Sequence, residues 1–153
     1  MKPRRANTIV RRRIDTLTRE QRSRCMAAVK GRNTTPELAV RRMVHALGFR
    51  FRLYARDLPG KPDIVLRRLR AVIFVHGCFW HRHACRYGRA TPQTRAAFWH
   101  AKFESNIARD RRVLAALRRN GWRVLVIWEC QLKRPTSVLH RLRRFLEPLN
   151  SPL

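Results

Sequence analysis

Three cysteines and one histidine stand in a pattern that can hold a metal. Cys78, His83 and Cys85 lie within eight residues of one another, and Cys130 comes later in the chain. Three thiolates and an imidazole suit Zn²⁺: soft donors, four of them, with no position left for water. Such a closed site would be structural and would pin a loop to the body of the protein. The plainer reading is that Cys130 packs in the core and the other two thiols are incidental. Cys25 lies outside the set and is expected to be packed on an early helix.

Acids are scarce, with nine Asp and Glu against 36 Lys and Arg, so each acid that is not a simple counter-charge needs a reason. Asp63 follows Pro62 at the mouth of a strand, and a neighbouring strand ends at Val75-His76. A carboxylate and a backbone carbonyl meeting there can hold a hard cation such as Mg²⁺; a lone Asp after a Pro turn is otherwise a turn-forming acid. Asp110 shares a helix face with Phe103, Ile107, Leu114 and Leu117. An acid on an inward face needs a partner. One of the many Arg would do, and so would His81, which lies between the metal-binding positions. A His oriented by an Asp is a better general base. Phe79-Trp80 sits inside the same loop and Phe98-Trp99 at the start of the long helix. Large apolar side chains among Arg and His suggest wedges for a nucleic-acid stack, with Met26 as a further one. Core packing is the alternative, and Trp122 and Trp128 are expected to be core.

These residues need a scaffold, and 153 residues supply one domain with one core. The formal charge is +27, and all the basic residues but Lys2, Lys30, Lys61, Lys102 and Lys133 are Arg. Arg binds phosphate bidentately, so nucleic acid is the expected partner, bound with a steep salt dependence; an Arg-rich genome is the bland explanation. A membrane-surface role fits less well, because the charge is spread along the chain. Nothing reads as a membrane span or a secretory signal, so a cytoplasmic protein with reduced thiols is expected.

Residues 1–15 read as a disordered basic arm and residues 16–150 as a single domain. Thr18 and Gln21 resemble a capping box for a short helix through Cys25, Met26 and Val29, ended by Gly31. Thr35-Pro36-Glu37 starts a second helix carrying Val40, Met43, Val44 and Leu47, and Gly48 stops it. Alternation predicts a half-buried strand over Phe49–Tyr54. Strands are also expected at Asp63–Leu66, at Ala71–His76 (apolar on both faces, hence central) and at Trp122–Trp128, with Val124–Ile127 buried. Residues 77–93 read as a long loop. Helices are expected from Thr94 to Arg119 and from Ser137 to Leu146, the last presenting Leu139, Leu142 and Leu146. The order gives one α/β domain around a mixed sheet.

Together these residues resemble the very-short-patch-repair (Vsr) DNA mismatch endonucleases. The matching strings are Leu58-Pro59-Gly60-Lys61-Pro62-Asp63, the run Val72 to Cys85, Asn106 with Arg109-Asp110-Arg111-Arg112, Gly121-Trp122-Arg123-Val124 and Trp128-Glu129-Cys130. The resemblance implies a restriction-endonuclease-like αβββαβ core with a mixed central sheet and a zinc-stabilised loop. It implies a monomer that nicks one strand of double-stranded DNA 5′ to the T of a T·G mismatch left by 5-methylcytosine deamination. It also implies roles. Asp63 and the carbonyl of Val75 would bind catalytic Mg²⁺; His81 would be the general base, oriented by Asp110. Glu37 would act through metal-bound water, and His76 would meet the reacting phosphate. Cys78, His83, Cys85 and Cys130 would bind structural Zn²⁺. Phe79, Trp80 and Trp99 would wedge into the duplex with Met26 from the other groove, and Lys102 and Asn106 would read the mismatch. Val75 stands where a Thr is common in the family, Arg82 and Ala84 where His is frequent, and Phe74-Val75-His76 where restriction-like enzymes carry acid-x-Lys. Two alternatives remain: a restriction-like nuclease with a different DNA target, and a zinc-stabilised DNA-binding module without catalysis.

Overall fold

The computed structural model describes residues 18–28 and 31–147. The chain divides into two compact units at Lys30–Gly31. The first holds helix α1 (Arg19–Ala27). Its capping box is formed: the Gln21 amide donates to the Thr18 hydroxyl, and the Thr18 N–H donates to the Gln21 side chain at 2.8 Å. Cys25 is exposed on this helix, not packed as expected, because α1 carries no apolar stripe to bury. Met26 is 42% exposed. The basic arm expected at residues 1–15, and Val29, lie outside the described residues.

The second unit is three-layered. Helix α2 (Thr35–Ala46) is capped by Thr34, with Pro36 in its first turn. Strands β1 (Ile64–Leu66), β2 (Ala71–His76) and β3 (Arg123–Trp128) form one sheet in the order β1-β2-β3. β1 runs antiparallel to β2, joined through a short 3-10 turn that Arg70 closes in the left-handed region, φ 45°. β3 runs parallel to β2, so the chain must cross the sheet between them; the crossover is helix α3 (Ala96–Arg119). Helix α4 (Pro135–Leu146) ends the described chain.

The core lies on both faces of the sheet. On one face Val40 and Val44 of α2, with Val138, Leu142 and Leu146 of α4, pack on Ile64, Ile73 and Ile127. On the other, Leu117 of α3, flanked by Val113 and Leu114, packs on Val65, Val72 and Phe74. The i, i+4, i+8 spacing of Val138, Leu142 and Leu146 makes Val138, rather than Leu139, the buried residue of that stripe. β2 is central, as its two apolar faces require.

Two strand expectations need correction. Phe49–Tyr54 is no strand: it makes a single bridge, Arg52 to Val65, and Tyr54 turns into the left-handed region, φ 56°, which ends the extended run. The sheet therefore has three strands. Within β3, an edge strand, only Ile127 is fully buried; Trp122 and Trp128 are half-buried.

Candidate active site and Cys/His cluster

Parallel β2 and β3 end together at His76 and Trp128, which pair across the sheet. Asp63, His76, His81 and Asp110, expected from the sequence, gather at this end, the usual place for a site in a sheet with parallel strands; Met26 belongs to the first unit. Asp63 enters β1 here. Extending the β1–β2 register by one residue sets Asp63 opposite Phe74, on the α3 face that His76 shares. The Val75 N–H donates to Asp63 Oδ2 at 2.7 Å. Burial raises the Asp63 carboxyl to about 6; the Val75 hydrogen bond lowers it, the charge of Glu37 raises it, and that of Arg41 lowers it.

His81 and Asp110 meet. His81 Nδ1 and Asp110 Oδ2 are hydrogen-bonded, and Arg109 also donates to the Asp110 carboxylate at 3.2 Å. Asp110 lies one turn before Val113 and Leu114, so the apolar face of α3 carries it inward. Accepting from Nδ1–H fixes the neutral ring as the tautomer with a free lone pair on Nε2. The His81 ring stacks on His76 with centroids 3.9 Å apart. Burial, then the charge of His81, lowers His76 to about 4, so His76 stays neutral. The donor atoms of His76, His81 and Asp110 lie within 4.8 Å of one another and could hold a metal themselves. Asp63 touches this group through the backbone: it grips the amide of Val75, the residue before His76.

Glu37 stands on the inward face of α2 beside Val40, Arg41 and Val44. Asn33 N–H (2.8 Å) and Arg41 (3.0 Å) donate to one of its oxygens and the Thr34 hydroxyl to the other. Asn33 Oδ1 in turn accepts from Arg41 and from the Tyr54 hydroxyl, each at 2.7 Å. Sequence reasoning missed Arg41, Asn33 and Tyr54. The one available signal was Arg41 at a helical spacing from Glu37 on an otherwise apolar face.

The donor atoms of Cys78, His83, Cys85 and Cys130 also lie within 4.8 Å of one another. His83 Nδ1 is 3.4 Å from Cys130 Sγ and 4.0 Å from Cys78 Sγ. Tetrahedral zinc with thiolate bonds of ~2.3 Å would set its ligands roughly 3.8 Å apart, so the cluster fits such an ion. Burial pushes the Cys78 thiol up to about 12 and raises Cys130, while a hydrogen bond with His83 lowers Cys85 to about 6. Trp128 is site-facing rather than core: its ring stacks on His83 at 4.4 Å and meets His76 edge-on at 5.3 Å. Gly88 was also missed; a Cβ there would lie 2.0 Å from the His83 carbonyl oxygen, so only glycine lets the loop close on the cluster.

Half-buried Phe79, Trp80 and Trp99 cluster with buried Phe103 beside these groups, with Phe79 edge-on to the other three. Phe98 is 48% exposed at its margin. Lys102 is exposed nearby. Asn106, by contrast, is buried and donates its amide to the Trp80 carbonyl at 3.0 Å, which ties the loop to α3. Among the described residues no helix is long and apolar enough to cross a membrane.

The chain is similar to known proteins over most of its length. Residues 14–87 match the family DNA mismatch endonuclease Vsr. The chain is 50% identical over 134 residues to the type II nicking enzyme V.XorIIP of Xanthomonas oryzae pv. oryzae, covering 88% of this chain and 98% of that one. It is 43% identical over 119 residues to the DNA mismatch endonuclease Vsr of Escherichia coli, covering 78% and 76%. The fold is similar to that of the catalytic domain of the homing endonuclease I-Bth0305I, with a TM-score of 0.53 at 22% identity over 74% of this chain and 94% of that one. The chain belongs to the Vsr family and is a DNA-nicking endonuclease, a hydrolase.

Proposed function

We propose that the chain nicks one strand of mismatched duplex DNA, 5′ to the T of a T·G pair, with Asp63 and His81 at the reacting phosphate. The observation that carries this is the His81–Asp110 pair, stacked on His76 at the strand end that Asp63 holds. His81 Nε2 takes a proton from water as the water oxygen bonds to phosphorus; the P–O bond to the departing sugar oxygen breaks, and that oxygen takes up a proton from solvent water to leave as a hydroxyl. Asp110 holds the ring and steadies its charged form. His76, kept neutral by its burial, adds a hydrogen-bond donor without a competing charge.

Two metals fit the residues. At Asp63 a carboxylate raised chiefly by burial, with the Glu37 charge adding to it, sits beside the Val75 backbone. Asp63 and the Val75 carbonyl would hold Mg²⁺, which when bound supplies positive charge to the phosphorane-like transition state. Glu37, satisfied at both oxygens by protein donors, would act on that ion from a distance. Cys78, His83, Cys85 and Cys130 would hold a structural Zn²⁺ that anchors His81 and the aromatic loop.

Phe79, Trp80 and Trp99 would test base pairing by wedging into the stack, with Met26 as a further wedge. Unstacking takes least free energy at a mismatch, so wedges convert weak pairing into selectivity. Exposed Lys102 would reach a base edge. Asn106 would act by fixing Trp80. The names of relatives such as V.XorIIP favour a second reading, a nicking endonuclease with a different DNA target. Nicking assays with Mg²⁺ on matched, T·G and other mismatched duplexes separate the two. Preferential cutting of the T·G duplex supports the mismatch target; equal cutting of all removes it and leaves the second reading.

A further inference from the structure

The two chain segments that leave the Cys/His cluster converge on one exposed phenol. Tyr87 follows Cys85 by two residues; Lys133 ends the 3-10 turn Glu129–Lys133 that contains Cys130. Lys133 Nζ donates to the Tyr87 oxygen at 2.7 Å and Arg86 donates to it at 2.9 Å. Both cations also lie over the Tyr87 ring, Lys133 at 4.5 Å and Arg86 at 4.7 Å from its centroid. Tyr87 is 40% exposed. The ion pairs among the described residues use Arg41, Arg67, His81 and Arg109, so neither Arg86 nor Lys133 has a carboxylate partner there.

Two like charges held on one oxygen repel each other. An anion with two oxygens would turn that repulsion into attraction, one oxygen to each cation, with the phenol O–H as a third donor. The segments follow the ends of β2 and β3, so the cluster opens at the same end of the sheet as His81. We propose that Arg86, Tyr87 and Lys133 form a clamp for a backbone phosphate of the duplex, built onto the Cys/His cluster and distinct from the catalytic residues. It deepens the proposed function, resting on DNA as substrate, by naming a contact that positions the duplex without reading sequence.

The test is duplex binding across a salt series, without added magnesium, with bound zinc measured for every variant. Arg86→Gln/Lys133→Gln should weaken binding about tenfold at 0.1 M salt and make the log–log salt slope shallower by about 1, the share of one phosphate. The control is Arg68→Gln/Arg118→Gln, which removes the same charge from exposed positions at the opposite end of the sheet; it should weaken binding less than about threefold, with the slope almost unchanged. Tyr87→Phe keeps every charge and should weaken binding by about threefold. Should the double variant lose zinc, Lys133→Gln alone, outside the thiol loop, replaces it, with about half its effect expected. A control pair as damaging as the clamp pair, or Tyr87→Phe equal to wild type, overturns the clamp. Failure of the wild type to bind duplex at all would instead overturn the reading of function.

Discussion

Asp63 is best placed to hold a cation where its own burial works against it, and that conflict can be measured without DNA. The folded carboxyl is raised to about 6 from an ordinary 3.8, chiefly by burial. Below pH ~4 it is protonated in both the folded and unfolded chain and contributes no difference. Between pH ~4 and ~6 the unfolded chain loses the proton first, so stability falls as pH rises. Above pH ~6 the loss is complete, at roughly two pK units or about 3 kcal/mol as an upper bound. Asp63→Asn keeps an oxygen to accept the Val75 N–H and carries no charge at any pH. Without added magnesium the variant should therefore match wild type near pH 4 and exceed it by up to about 3 kcal/mol at pH 8, on the order of 6–12 °C in midpoint. Magnesium should stabilise wild type at pH 8 by mass action and leave the variant unmoved. Urea or thermal unfolding of both proteins at pH 4, 6 and 8 measures this. A variant no more stable than wild type at pH 8, or equally stabilised by magnesium, would refute the reasoning.

Other expectations follow from neighbouring contacts. Asp110→Asn frees the His81 ring, so nicking should slow by about ten- to a hundredfold while duplex affinity holds, read by parallel rate and binding assays. Cys130→Ser and Gly88→Ala should each take bound zinc from about one per chain toward none and lower the unfolding midpoint, as metal analysis and calorimetry would show. Gly88→Ala reaches that end through the backbone, since its Cβ would collide with the His83 carbonyl. Deleting residues 2–13 removes Lys2, Arg4, Arg5 and Arg11–Arg13; binding should weaken and the salt slope flatten with target preference unchanged.

The sequence made the Cys/His cluster legible because Cys and His are few and their chemistry is narrow. It made Asp110 legible because helical periodicity turned an acid inward. The central strand showed itself through apolar residues on both faces. Phe49–Tyr54 misled because alternation records which side chains point inward, and a bend at Tyr54 preserves that over a few residues while denying the ladder. Trp128 misled for a related reason: its strand is apolar, but lies at the sheet edge, where the ring turns to His83 instead of the core. Local pattern does not say which strand is outermost. In the Glu37–Arg41–Asn33–Tyr54 network only the Glu37–Arg41 spacing left a local signature; Tyr54 joins from 21 residues away.

The central claim is that Asp63 and His81 act together on one phosphate. The most direct measurement is the single-turnover nicking rate, with Mg²⁺, of wild type, Asp63→Ala, His81→Ala and the double variant on one duplex that the wild type cuts. Each single variant should lose at least about a hundredfold, and the double should be little worse than the poorer single, as residues acting as a unit behave. Nicking that survives both substitutions would contradict the assignment of this site.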